Sequence, residues 1–422
     1  MKINCKRIWF LFGLSFLMHC IVVLLIGHYK QPVLWENGMI ADYLFSGRGF
    51  CGDFSVIGEP TSWQAPAYPY LLFWTWKLFG KGVAAYLFIS FLQCLALASM
   101  LWPVTALSRR WFPRVPELIV QVLVLFAPLY LWYGTRLHHT AFVMAFQPWV
   151  LWGWLVWARR SFPGALSVGV GTGLVSLIQP VILAVFGIIG IALLVTTLAS
   201  RTWIQSLCLV CAGMAVLLTL TPWTLRNYKT QGRLLLIKDS FGKEFWMGNN
   251  PHATGTGYAI GGTEEITNLY PPECFSKRGL IREMDLMDAM GSEAASWISL
   301  HPVQFLKLTA CKLWWMWTVP PKDRVRSTGA AEAILFRSVY LFYWAGILGL
   351  SVVGMTRSRP AREYGYVLLV FVLLYSLVYG LTHVGQARFR GEIEYIFFPA
   401  AAAGIFSLWG MLLSFRDKPL KQ

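Results

Sequence analysis

The residues able to do chemistry are few in this chain, and most lie just beyond apolar runs. The stretch WENGMIADYLFSGRGF, 35–50, sets a carboxylate, Glu36, among aromatic and aliphatic residues where the chain leaves its first long apolar run. If the stretch is helical, Trp35, Met39, Ile40, Tyr43 and Leu44 share a face with Glu36 near its middle, and Asp42 falls on the opposite side. An unpaired carboxylate on such a face is costly, so Glu36 is expected either to be paired or to serve chemistry. Its apolar neighbours are expected to raise its pKa and fit it to act as a base. Three further stretches carry cations and histidines: GTRLHHT (Arg136, His138, His139), PWTLRNY (Arg226, Asn227) and THVGQARFRGE (His383, Arg388, Arg390, Glu392). Arginines at a membrane surface bind a phosphate through forked hydrogen bonds, or else anchor helices among headgroups. The paired histidines could bind a metal, but adjacent side chains on a helix diverge and no third ligand is evident.

These groups need a frame, and the composition says which. The chain has 422 residues, 56% hydrophobic and 13% charged, whereas soluble domains carry about 25% charged residues. Its mean hydropathy is +0.54. The net charge of +16 is spread in short clusters between apolar runs, which argues for membrane topology and against a nucleic-acid partner. The reading is an all-α polytopic membrane protein with about ten transmembrane helices, at 8–27, 83–106, 117–133, 141–158, 165–179, 181–199, 203–221, 333–355, 364–382 and 393–415. With Met1 in the cytoplasm, MKINCKR, SRRWFPR, ARRSFP, SRT, TRSRPAR and the tail RDKPLKQ all face inward, and each carries Lys or Arg. Both termini are then cytoplasmic. The first run is too long for a signal-peptide core, and GHYKQP offers no small-residue cleavage site, so it reads as an uncleaved span.

The chain divides into an N-terminal membrane region, 1–221, whose outer loop at about 29–82 holds Glu36, an outer segment, 222–332, and C-terminal helices, 333–422. The outer loop ends in a short aromatic helix, YLLFWTWKLFG, expected to lie in the interface. The outer segment holds over half of the acidic residues. It reads as a strand at RLLLIK, a turn at Gly248-Asn249-Asn250-Pro251 and a polar helix over 281–300. Residues 302–319 are expected to form an interfacial helix whose Lys307 and Lys312 snorkel toward headgroups, rather than an eleventh span. Cys208 and Cys211 read as packing residues, and Cys51 and Cys274 share the outer side, where they could pair. Inside the spans His19 is almost alone as an ionisable group, whereas ion-driven carriers hold a carboxylate there.

The run E-x4-A-x2-L-x2-G-x-G-F (Glu36, Ala41, Leu44, Gly47, Gly49, Phe50) followed by PTSWQAPAYPYLL resembles the first outer loop of GT-C type membrane glycosyltransferases. The nearest group is the bacterial proteins related to dolichyl-phosphate-mannose protein mannosyltransferases. PWTLRNY, FGKEFWMGNNP, the helix before His301-Pro302 and ARFRGEIEYIFFPAAAAG are similar to that group in the same order. The resemblance implies an inverting transferase of the bacterial inner membrane. It would move a monosaccharide from a polyprenyl-phosphate donor to a glycan, lipid or protein acceptor at the outer face, with membrane lipids as surroundings. No cofactor is required, and a divalent cation is compatible. Glu36 would be the base, the loop around Trp63, Pro66 and Tyr68 would shape the sugar pocket, and Arg226 with Asn227, Arg388, Arg390 and Arg136, beside His138 and His139, would hold the phosphate. Related transferases carry an Asp about one turn upstream, where this chain has Val33-Leu34, so the base is Glu36 from a shifted place, or Asp42 or Asp53, or the chemistry is lost. GEIEY after Arg390 also departs from the family pattern. The rival readings are a lipid or polysaccharide flippase or exporter and a non-catalytic scaffold with this fold.

Overall fold

The computed structural model describes residues 5–258, 265–318 and 330–416. The architecture is α-helical. Helices α1 (Cys5–Ile26), α2 (Trp35–Phe45), α3 (Ala67–Phe79), α4 (Val83–Ser99) and α5 (Leu101–Trp111) carry the first outer loop. Then come α6 (Glu117–Leu125), α7 (Pro128–Thr135), α8 (Thr140–Trp152), α9 (Phe162–Ser176), α10 (Val181–Ala199) and α11 (Trp203–Gln231). The outer segment contains α12 (Phe241–Gly248), α13 (Ile266–Leu269), α14 (Glu283–Leu300) and α15 (Pro302–Trp317). Helices α16 (Ala330–Ser358), α17 (Arg362–Thr382), α18 (Ala387–Gly391) and α19 (Phe398–Arg416) close the chain. Among the described residues the only sheet pairs Cys51–Gly52 with Glu59–Pro60.

Every expected span coincides with helix, but not every one is a continuous crossing. Among the described residues seven helices are long and apolar enough to span a bilayer, and an eighth appears if α6 and α7 count as one broken span bent by 41°. Pro128 explains the break. Its ring disfavours a helical residue before it, so Ala127 is extended (ψ 109) and a new helix begins at the proline. Helix α8 continues through a π-helical turn, Gly153–Trp157, and α9 is a shorter apolar helix of 15 residues. The expected strand at RLLLIK does not form. Side chains of α11 take its carbonyls: Trp223 Nε1 and Asn227 Nδ2 donate to Ile237 O (2.6 and 3.0 Å), Asn227 Nδ2 also to Leu235 O, and Thr224 Oγ1 to Leu236 O.

Helices α16 and α19 press together through small residues. A methyl on Gly354 would lie 1.9 Å from Ala400 O, and one on Gly404 would lie 2.0 Å from Leu350 O, so only glycine permits this crossing. Arg7 and Arg109 hold Glu117 at 2.6 and 2.9 Å, while Arg110 holds Glu363 at 2.5 Å. These pairs gather the start of α1, the α5–α6 corner and the start of α17 at one end of the bundle, so Arg7 and the basic stretch SRRWFPR share a side. Ionisable groups inside the bundle are not limited to His19. Arg390 and Glu394, both fully buried, pair at 3.2 Å.

Candidate active site

The other end of the bundle gathers the chemistry. The first outer loop is hung from the end of α11 by Arg226, whose Nη1 donates to Thr61 O (2.5 Å) and Nη2 to Phe50 O (2.8 Å), with the guanidinium over the rings of Phe50 and Trp223. Buried Asn227 accepts from Ser62 Oγ at 3.1 Å. A guanidinium committed to loop carbonyls has little left for a ligand, so Arg226 and Asn227, expected to hold phosphate, are loop anchors here. Arg390 is committed too: it donates to Met316 O (3.1 Å), Thr318 O (2.9 Å), Glu394 and the Tyr340 hydroxyl, and packs over the Trp344 ring. It is fully buried.

Helix α2 forms where expected, and Glu36 on its first turn is paired. Lys243 Nζ lies 3.2 Å from Glu36 Oε1 and 4.0 Å from Glu244 Oε1. The Glu36 and Lys243 side chains keep 28% and 15% of their exposure, enough for a ligand to touch them. Burial pushes the Glu36 carboxyl up, but the Lys243 ammonium more than offsets this and holds it below its ordinary value. The expected upward shift is therefore reversed, and Glu36 is ionised at neutral pH. Burial likewise pulls Lys243 down, and Glu244 with Glu36 overrules it and raises the ammonium.

Three cations stand at this place. Lys238, half-buried, makes no ion pair or hydrogen bond through its ammonium among the described residues, and burial lowers its pKa against the pull of Glu244 and Glu36. Arg388 makes no ion pair there either, and its Nε is buried without a partner. Its Nη1 lies 3.5 Å from His138 Nε2. His138 Nδ1 accepts from Thr140 N at 3.2 Å, and burial drives the ring pKa well below its ordinary value. Assigning the Nε2–H tautomer from the Thr140 N contact makes both Nε2 and the Arg388 guanidinium donors at this place. The His139 ring lies 4.1 Å from that of His138, tilted by 31°, and burial with the Arg388 and Lys238 charges keeps it neutral as well. Arg136 lies over the Trp132 ring, and its carbonyl accepts from Gln93 Nε2 at 2.7 Å.

The remaining expected residues are placed differently from their anticipated roles. Trp63 is 5% exposed, stacked on Phe54 at 4.6 Å with Lys243 Nζ over the ring at 5.6 Å, so it offers no free face and instead holds the lysine. Tyr68 is buried with its hydroxyl 3.5 Å from Gln93 Oε1, and Pro66 is buried as the residue before α3. Asp42 is exposed and paired with Lys81, and Asp53 accepts from the Tyr43 hydroxyl and from Gly58 N at 3.0 Å. Cys51 and Cys274 are separate buried thiols, Cys51 donating to Arg48 O. Lys312 does not snorkel. It is fully buried and donates to Asn249 Oδ1 at 2.8 Å, whereas Lys307 is exposed.

Sequence reasoning passed over Lys238, Lys243 and Glu244. The signal was Glu36 itself: a carboxylate on an apolar face needs a cation, and KE inside the amphipathic FGKEFWMG offered one. Among the described residues no group of three His, Cys, Asp or Glu is placed to hold a metal ion.

No family model and no curated protein matches the sequence. Among solved structures, the oligosaccharyltransferase of Archaeoglobus fulgidus, tethered to an acceptor peptide containing the NVT sequon, is similar with a TM-score of 0.53 at 15% identity, over 97% of this chain and 51% of that one. ArnT from Cupriavidus metallidurans, bound to undecaprenyl phosphate, aligns with a TM-score of 0.42 at 14% identity, over 96% of this chain and 78% of that one. This chain spans about half the length of the oligosaccharyltransferase. The likeness is one of fold: the chain is an all-α, multi-pass membrane protein whose helices are arranged like those of the aligned half of the oligosaccharyltransferase.

Proposed function

We propose that the protein is an inverting glycosyltransferase that moves a monosaccharide from a polyprenyl-phosphate donor to an acceptor at the outer face of the inner membrane. The observation carrying this reading is the meeting of donors without an acceptor: the Arg388 guanidinium, the His138 Nε2–H and the free Lys238 ammonium, beside the Glu36–Lys243 pair. Such a recess takes a phosphate. With Lys243 included, three cations face two carboxylates, Glu36 and Glu244, leaving one positive charge for a sugar phosphodiester. The bond between the anomeric carbon and the phosphate oxygen breaks as the acceptor oxygen attacks from the opposite side. The acceptor proton passes to Glu36, and the negative charge gained by the leaving phosphate is met by Arg388 and Lys238.

The test uses detergent-purified full-length protein. Polyprenyl phosphate should bind to the wild type and at least tenfold more weakly to Lys238→Ala and Arg388→Ala. Release of polyprenyl phosphate from labelled polyprenyl-phosphate sugars should vanish in Glu36→Gln while binding persists. Glu36 already has a partner, which favours the scaffold as the second reading. Polyprenyl phosphate binding without turnover of any donor sugar in the wild type would establish that reading instead.

A further inference from the structure

The outer face of α2 carries a second concavity that the phosphate recess does not use. It is an open groove of about 490 Å³ lined by Trp35, Met39, Asp42, Tyr43, Arg48 and Asp53, among others. Positions 35, 38, 39, 42 and 43 form one stripe of the helix, and Glu36 lies one residue step, about 100°, around from Trp35. The groove therefore runs along the helix beside the carboxylate. Trp35 joins the two places. Its indole meets the His138 ring edge-on at 5.3 Å, and 44% of the residue is exposed. Its backbone is held at φ 46, a left-handed conformation costly for a bulky residue and concentrated at functional sites.

The lining selects among ligands. Two carboxylates, Asp42 and Asp53, and a guanidinium, Arg48, the last at 4.1 Å over the Tyr43 ring, ring the opening. Asp42 is paired with Lys81 and Asp53 accepts from the Tyr43 hydroxyl and Gly58 N, but an acyl chain would strip water from their remaining lone pairs and from Arg48, which disfavours a lipid tail. With Lys81 paired to Asp42, two cations balance the two carboxylates at the opening, so nothing there selects an acidic ligand. Vicinal hydroxyls, by contrast, both donate to carboxylates and accept from a guanidinium, and the C–H face of a sugar ring suits an exposed indole.

We infer that this groove is the acceptor subsite and that the acceptor is a neutral or amino-sugar glycan, laid along α2 with one hydroxyl reaching Glu36. The inference rests on the proposed transferase activity, and its test separates the two. Full-length protein in detergent is probed on an array of neutral, amino and acidic oligosaccharides and Ser/Thr peptides, and polyprenyl phosphate binding is measured in parallel. Neutral or amino oligosaccharides should bind best. Their binding should fall at least tenfold in Trp35→Leu and in Arg48→Ala and be retained in Glu36→Gln. Polyprenyl phosphate binding should be unchanged in Arg48→Ala, which also shows that variant to be folded. Preference for acidic oligosaccharides or peptides, absence of saccharide binding by the wild type, or saccharide binding that survives both groove variants overturns the acceptor assignment. Failure of the wild type to bind polyprenyl phosphate overturns the transferase reading and leaves the glycan result to be read by itself.

Discussion

The Lys243 ammonium lies 3.2 Å from the Glu36 carboxylate, binding the first outer helix to a helix 207 positions later. The pair decides in which state Glu36 waits. Its carboxyl sits below the ordinary value because the ammonium outweighs burial, so it is ready to accept a proton at neutral pH. Lys243→Gln leaves burial unopposed. The acidic limb of the pH–rate profile should then move to higher pH. The carboxyl's contribution to stability, present above its ordinary pKa and lost as pH falls through the folded value, should disappear. Thermal unfolding at neutral pH should show a loss of about 2 kcal/mol, the scale of a charge-assisted hydrogen bond.

Arg226 and Arg388 should respond to substitution in opposite ways. Arg226→Lys cannot fork between Thr61 O and Phe50 O, and the first outer loop should loosen, lowering the unfolding temperature and raising proteolysis within 50–66. Arg388→Ala removes no ion pair, so its unfolding temperature should stay within about 1 °C of the wild type, a shift that corresponds to about 1 kcal/mol for a chain of this length. Its affinity for polyprenyl phosphate should fall tenfold or more. Equal loss of stability in both variants would show that Arg388 is structural as well.

Glu283 supplies a pH test outside the recess. Buried at the start of α14, it accepts from the Thr61 hydroxyl and from Ser62 N at 2.8 Å, tying the two outer segments together. Burial raises its carboxyl to about 7 against those hydrogen bonds. The folded state therefore holds a proton that the unfolded state releases from about 4.5 upward. Stability from this group should be full below about 4.5, fall as pH rises to about 7 and level off above it, a change of at most about 3 kcal/mol. Unfolding temperatures measured across pH 4.5–8 should show this slope, and Glu283→Gln should flatten it.

Gly354→Leu or Gly404→Leu should be poorly tolerated. Each would drive a side chain into a backbone carbonyl across the α16–α19 contact, at a cost of about 1–3 kcal/mol or more. The yield of monodisperse protein should drop sharply, whereas Gly346→Leu, on the same helix with open space around it, should purify normally.

Much of the frame was legible because apolar runs of helical length are a local property. Pro128 could have been read as a break on the same basis. What escaped the sequence was pairing at a distance. Arg226, Arg388 and Arg390 look alike as letters beside apolar runs, and they differ only in which carbonyls and carboxylates the fold brings to them. RLLLIK has the composition of a strand, but no partner strand reaches it, and the side chains of Trp223, Thr224 and Asn227 take its carbonyls instead. Glu36 was correctly singled out as a group needing a partner, yet the partner lay in a segment whose lysine and glutamate looked like ordinary solvated charges.

Helix α11 has 29 residues, about 43 Å of rise, while a bilayer's hydrocarbon layer is about 30 Å thick. Its last turns therefore stand clear of the acyl chains like a post, and the loop carrying Ser62 and Phe50 is tied to that post by Arg226 and Asn227. On the proposed reading, this helix length is a ruler that sets how high the loop and the cations stand above the lipid. Removing one turn between Trp203 and Trp223 would lower everything by about 5 Å and drown it in hydrocarbon without altering a single side chain of the recess.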